Sequence, residues 1–243
     1  MRKLEGKVAV ITGGNQGIGK GIARLFGAEG CRLALCARNA ARLAATAAEL
    51  ESQGAEVLAA PVDVADEAAV ERFFDAIVAR YGRVDLLVNN AGAFDGGRLD
   101  ELPLAAWNNV IGACLTGAFL CSRRAFALMK DAGGGRIINI GSISAQRPRA
   151  GSAAYAAAKF GVWGLTQATA LDGRPFGITC SCLHPGNVAV ERRANTNQES
   201  DDEPMMSVET IAEAALAMAA LPPHVNMLEA IVLPAQQLYL GRG

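Results

Sequence analysis

The 243-residue chain contains no run of five or more basic residues, has only 19% charged residues, and carries a formal net charge of −1 at pH 7. Those absences remove the electrostatic footprint of a nucleic-acid or anionic-membrane binder. Arg2 and Lys3 supply early positive charge, but no long apolar region or small-residue cleavage site follows. A secretory leader is therefore not expected, and a cytoplasmic setting is. The six cysteines (Cys31, Cys36, Cys114, Cys121, Cys180, Cys182) lie inside apolar runs and not in a loop framework, as reduced core thiols do. Cys180 and Cys182 would share one side of a strand, yet no second pair stands at zinc-ligand spacing, so no metal is expected. His184 and His224 read as turn or surface residues. No repeat or Pro/Gly/Ser-rich linker divides the chain, which predicts a single domain over 1–243.

What is present is apolar and periodic: hydrophobic residues make up 51% of the chain, ample for a large core. Apolar runs at 7–12, 32–37, 56–62, 84–90, 136–140, 178–184 and 229–233 read as strands. Helix-forming segments at 18–28, 40–53, 67–81, 104–130, 153–171 and 208–221 lie between them. Strand, crossover helix and strand in repetition define the fold class as α/β: a Rossmann-like, doubly wound, seven-stranded parallel sheet with helices on both faces. Residues 102–122 carry no charge and match a membrane span of about 20 residues in length. Asn108 and Asn109 would be costly in hydrocarbon, so the run reads as a helix buried on most of its surface, against the sheet and a partner subunit. The polar stretch 187–206 has the length of a substrate lid.

The first strand runs into Thr12-Gly13-Gly14-Asn15-Gln16-Gly17-Ile18-Gly19 and a helix follows at once. Glycines there let a pyrophosphate approach backbone N–H groups at a helix N-terminus; a purely structural turn is the alternative. The second strand ends in Ala37-Arg38, where NAD-binding folds place an acidic residue for the ribose 2′-hydroxyl and an arginine can hold a 2′-phosphate. NADP is therefore preferred, with NAD possible, although Gln16 supplies no second positive charge and a solvated Arg38 remains the alternative. Tyr155 and Lys159 stand four residues apart on one helical face, and of the three tyrosines only Tyr155 has a lysine so placed. A nearby ammonium favours the phenolate and suits the tyrosine to proton transfer. Ser142, just after the fifth strand, supplies a neutral hydroxyl for the reacting oxygen.

With Asp63-Val64 after the third strand, Asn89-Asn90-Ala91-Gly92 after the fourth and His184-Pro185-Gly186 after the sixth, the sequence resembles a short-chain dehydrogenase/reductase over essentially its whole length. The resemblance implies an NAD(P)-dependent oxidoreductase acting on a small carbonyl or secondary alcohol. It makes Tyr155 the acid/base, Lys159 the ligand of the nicotinamide ribose and tuner of Tyr155, and Ser142 the group that orients the carbonyl. It places Asp63 and Val64 at the adenine, Asn90, Ala91 and Gly92 near the ribose, and Pro185, Gly186 and Val188 at the nicotinamide end. It further implies a homotetramer, while the apolar stretches at 102–122 and 160–171 by themselves point to a homodimer.

One departure stands out. The family usually carries an asparagine seven residues after a tryptophan in the long central helix, supporting a water relay to the lysine. Here that position is Cys114, a weak donor and acceptor, so the relay must be rebuilt, bypassed or absent. A cofactor-binding sensor or scaffold with impaired turnover is the alternative function this departure opens. A methyltransferase on a similar sheet would have no use for Ser142, Tyr155 and Lys159 together.

Overall fold

The computed structural model describes residues 2–191 and 203–239. Strands β1 (Val8–Thr12), β2 (Arg32–Ala37), β3 (Val57–Pro61), β4 (Leu86–Asn89), β5 (Gly135–Ile140), β6 (Ile178–Pro185) and β7 (Glu229–Val232) form one sheet in the order β3-β2-β1-β4-β5-β6-β7. Every pairing is parallel. All five residues of β1 are buried, as a continuous apolar strand covered on both faces must be. One core packs helices α1 (Gly17–Ala28), α2 (Ala40–Ser52) and α7 (Val208–Ala219) on the sheet through Phe26, Leu43, Leu50 and Ile211. The opposite core does the same for α3 (Glu67–Tyr81) and α5 (Gly117–Asp131) through Phe74, Ile77, Leu120 and Met129. Side-chain caps start α2, α3 and α7, with Asn39, Asp66 and Ser207 accepting from backbone N–H groups three residues on.

Successive strands are added outward from β1 to β3 and then, from β4 on, along the other side of β1; that switch between β1 and β4 opens a crevice at their carboxyl ends where ligands of doubly wound sheets bind. The predicted continuous helix at 104–130 is instead α4 (Leu104–Ile111), a π-helical turn (Gly112–Thr116) and α5. Gly117 lets α5 approach Val64 so closely that a Cβ there would collide with the valine side chain. By length and composition the 28 residues Leu104–Asp131 could cross a membrane, and 39% of their most apolar window is buried. Within the single chain Leu104 is 71% and Phe119 44% exposed, so one face of α4 and α5 meets the rest of the subunit and the other is open. After β6, Val188 bridges Met206 and Met206 N donates to Asn187 O at 2.9 Å; residues 192–202 of the predicted lid lie outside the described residues. Helix α6 (Ala153–Gly173) connects the β5 end to β6.

Candidate active site

The β1–α1 turn is built by glycines that the backbone geometry demands. Gly13 and Gly17 take φ values of 65° and 50°, which side chains disfavour, and a Cβ on Gly19 would collide with Gly13 O and Asn90 Nδ2. Asn90 spends its amide on this turn, with Nδ2 donating to Thr12 O at 2.9 Å and Gly13 O at 3.1 Å. The N–H groups of Asn90 and Ala91 both donate to Thr12 Oγ1, at 3.0 and 2.9 Å. Asn15 is buried and its carbonyl accepts from Thr46 Oγ1 at 3.3 Å, while Ile18 packs on the core. The turn fits a dinucleotide. Gly17 N–H donates to the Glu191 carboxylate at 3.0 Å, so this helix N-terminus already accommodates an anionic oxygen, the property a diphosphate needs.

Beside the turn lies a second basic residue that sequence reasoning missed. Arg42 Nη1 donates to Gln16 Oε1, and Arg38 Nη1 donates to Asn109 Oδ1 at 3.5 Å. Gln16 therefore gathers a guanidinium although it carries no charge itself. The available signal was the capping pattern: Asn39 accepts from Arg42 N at 2.9 Å, which fixes Arg42 in the first turn of α2, next to Arg38. Asp63 accepts from Ala65 N at 3.0 Å in a local turn, and Val64 is buried beneath Gly117.

At the other end of the crevice, Ser142 follows β5 and caps a short 3₁₀ turn (Ile143–Ala145), its Oγ accepting from Ser144 N at 3.1 Å. Tyr155 and Lys159 lie on the first turns of α6. Lys159 is 5% exposed, and its Nζ donates to Ile140 O at 2.7 Å, two residues before Ser142. The same Nζ lies 5.5 Å from the centre of the Tyr155 ring, against which Phe94 packs edge-on at 5.2 Å. The three residues predicted to carry the chemistry are thus gathered where β5 ends against α6. Gly186 N donates to Val232 O at 2.8 Å next to Pro185, and Val188 is buried. Gln237, absent from the predicted set, accepts from Asn187 N at 2.9 Å and ties the chain end to this turn. His184, expected in a turn or at the surface, is instead fully buried at the end of β6.

Cys114 sits in the π-helical turn and grips the loop after Asn90 from both sides: its thiol donates to Ala93 O at 3.3 Å and accepts from Ala93 N at 3.4 Å. A π-turn at such a position is common near functional sites. The thiol thereby provides one donor and one acceptor to the part-buried backbone of Ala93. Cys114→Ala is expected to cost about 1 kcal/mol of stability, read from the denaturation midpoint, and to lower turnover through the released loop. Cys114→Asn restores a donor and an acceptor and is expected to keep turnover at or above the starting level; a collapse in rate with the fold intact would give the thiol a further role.

A parallel sheet with a glycine turn at its switch point, and Ser142, Tyr155 and Lys159 beyond the strand ends, defines a dinucleotide-dependent oxidoreductase. The family model described as short chain dehydrogenase matches residues 7–201, and the chain belongs to that family. It is 36% identical over 234 residues to an uncharacterized oxidoreductase of Bacillus subtilis (strain 168), covering 96% of this chain and 84% of that protein. It is 35% identical over 200 residues to a 3-oxoacyl-[acyl-carrier-protein] reductase of Synechocystis, covering 82% and 81%. The crystal structure of a metagenomic short-chain oxidoreductase in complex with NADP matches with a TM-score of 0.84 at 33% identity, covering 96% of this chain and 98% of that one. The chain is an NAD(P)-dependent oxidoreductase of this family.

Proposed function

We infer that the chain carries out reversible hydride transfer between NADP and a small carbonyl or secondary alcohol, with Tyr155 moving the proton. The observation that carries this reading is the buried Lys159 ammonium, anchored on Ile140 O and set against the Tyr155 ring. It fastens the proton-transferring residue of α6 to the strand that bears Ser142.

The bound nicotinamide supplies or accepts the hydride. The protein's own groups do the rest. Tyr155 donates its phenolic proton to the carbonyl oxygen as that oxygen gains charge, or takes it from the alcohol in reverse. The Lys159 ammonium steadies the phenolate left behind and is placed to bind the nicotinamide ribose. Ser142 Oγ already accepts from Ser144 N, so its own proton is available to the reacting oxygen, a preorganised donor aimed at developing charge. Arg42 is seated on Gln16 at the glycine turn and Arg38, at the end of β2, reaches Asn109; two guanidinium groups at this end of the crevice favour a 2′-phosphate over a hydroxyl. With Cys114 holding Ala93 in place, nothing in the loop argues for lost turnover.

A panel of small ketones, aldehydes and 3-oxoacyl thioesters, assayed with NADPH and NADH, tests the reading; the thioesters are included because of the Synechocystis relative. NADPH-dependent reduction of at least one member is expected, and nucleotide binding without any hydride transfer would favour the sensor alternative. Exposed Phe119, Phe160 and Leu171 on the α5–α6 side support self-association as a homodimer, and exposed Met227, Leu228 and Ile231 around β7 support a second contact and a homotetramer. Six buried, unbridged cysteines support a reducing, cytoplasmic setting.

A further inference from the structure

His184 has no solvent exposure, and hydride transfer by itself gives no reason for an imidazole there. The edge of Trp163 closes one side of the ring, with centroids 5.7 Å apart. Gly141 closes another: a Cβ there would come within 2.5 Å of His184 Nδ1. Nδ1 lies 3.2 Å from the backbone N of Ser142 and 2.9 Å from its carbonyl O. On the far side of the ring, Nε2 lies 3.4 Å from Glu229 Oε1 on β7, without hydrogen-bond alignment and with no hydrogen-bond partner among the described residues. Glu229 accepts from Gln146 Nε2, and Gln146 Oε1 accepts from the Tyr239 hydroxyl. Gln146 closes the short 3₁₀ turn that Ser142 opens, so the imidazole and the carboxylate brace both ends of one turn.

A neutral imidazole has one donor and one acceptor. With the proton on Nε2, Nδ1 accepts from Ser142 N–H and the Nε2–H dipole faces the Glu229 carboxylate. The opposite tautomer would let Nδ1–H donate to Ser142 O at 2.9 Å, a carbonyl that already accepts from Ala145 N at 2.9 Å, but it would set the Nε2 lone pair against the carboxylate and take the acceptor away from Ser142 N–H. Because Ser142 Oγ is itself held as an acceptor by Ser144 N at 3.1 Å, the backbone orientation of Ser142 decides where its hydroxyl proton points.

We propose that His184, oriented by Glu229, is the positioning residue that fixes the Ser142 backbone and so aims its hydroxyl at the reacting oxygen. The inference rests on the hydride-transfer reading and adds a residue to it. Burial holds His184 below its ordinary value of 6.5; the Ser142 backbone and the Glu229 carboxylate work in the opposite direction, and the Lys159 ammonium on α6 adds to the lowering. Glu229 and Lys159 are the charged groups facing the ring from the packed elements. Cys182, on β6 with His184 and close to Gly141 after β5, is a thiol that burial pushes up to about 12. Once protonated, Nδ1 no longer accepts from Ser142 N–H and donates to Ser142 O instead, which changes the hold on the Ser142 backbone, so turnover falls on the acid side, below the usual histidine range.

The chain has only two histidines, so imidazole NMR signals are assigned by comparing the wild type with His184→Leu or His224→Gln. The expected result is an Nε2–H tautomer at His184, held to a pH below the ordinary histidine range; an Nδ1–H tautomer would overturn the proposal, and this readout needs no turnover. In kinetics, His184→Leu removes the acceptor and is expected to lower kcat about 10- to 100-fold, the scale of a small misplacement, with NADPH affinity little changed. His184→Asn, whose Oδ1 can take the place of Nδ1, is expected to recover much of that loss. Glu229→Gln, on the partly exposed edge strand, removes the group that favours imidazolium, so the acid limb of the pH profile moves to lower pH. Wild-type turnover in His184→Leu, or an unmoved acid limb in Glu229→Gln, would sink the idea. A wild type that reduces no carbonyl while showing the expected tautomer would instead count against the hydride-transfer reading and leave the His184–Ser142 contact standing.

Discussion

Tyr155→Phe is expected to lower kcat by about 10²- to 10⁴-fold, the range that a positioned proton donor contributes, with NADPH binding close to the wild-type level. The ring would stay where it is, because its contacts need no hydroxyl: Phe94 edge-on at 5.2 Å, the Lys159 ammonium 5.5 Å from the ring centre, and the small cluster of Val110, Cys114, Ala154 and Ala158. Only the hydroxyl is lost, so the fold and the cofactor cradle around Gly13, Gly17 and Gly19 remain. Stopped-flow hydride transfer with nucleotide titration in parallel separates the two quantities, and turnover near wild type would remove Tyr155 from its role. Lys159 offers a contrast. It is buried with its Nζ on Ile140 O, so replacing it leaves that carbonyl without its donor and disturbs the β5–α6 junction along with the chemistry. A drop in both kcat and stability is therefore expected for Lys159→Ala, against a drop in kcat alone for Tyr155→Phe.

The second large effect concerns the choice of cofactor. Removing both guanidinium groups in Arg38→Ala/Arg42→Ala is expected to weaken NADPH binding by about 10²-fold or more, since hydrogen bonds to charged groups contribute roughly 1.5–3 kcal/mol each. NADH, without the 2′-phosphate, should change far less. Both side chains are exposed, so solvent and salt screen them and the effect should shrink as ionic strength rises. Isothermal titration with both nucleotides at two salt concentrations reads the difference directly. Equal losses for NADPH and NADH would show that the arginines support the turn through Gln16 and Asn109 and do not select the phosphate. Arg42→Ala alone should account for a measurable part of the loss, because Arg42 is the group already seated at Gln16.

Most of the architecture was legible in the chain because its signals are local. Continuous apolar runs mark strands buried on both faces, as in β1, and alanine-rich segments between them mark crossover helices. The Tyr155–Lys159 pair is legible for the same reason, since four residues on a helix place two side chains on one face. Less legible was the break in the long helix. Nothing in the run from Leu104 announces a π-turn, which follows from the close approach of Gly117 to Val64 and the grip of Cys114 on Ala93. Cys114 itself was read as a weak substitute on chemical grounds; in place, its thiol has a backbone donor and a backbone acceptor within reach, and weakness per bond is offset by having both.

By itself, then, the order of residues determined the parallel α/β sheet, the glycine turn at its first strand and the helix that carries a phenol and an ammonium one turn apart. Tertiary structure alone decided that Arg42 would meet Gln16, that Cys114 would hold Ala93, and that an imidazole read as a surface group would lie buried behind Ser142. The physical reason is separation along the chain. Periodicity reports neighbours within a turn or a strand, whereas these contacts join residues 26, 21 and 42 positions apart and exist only once the sheet has fixed the distance between its strand ends.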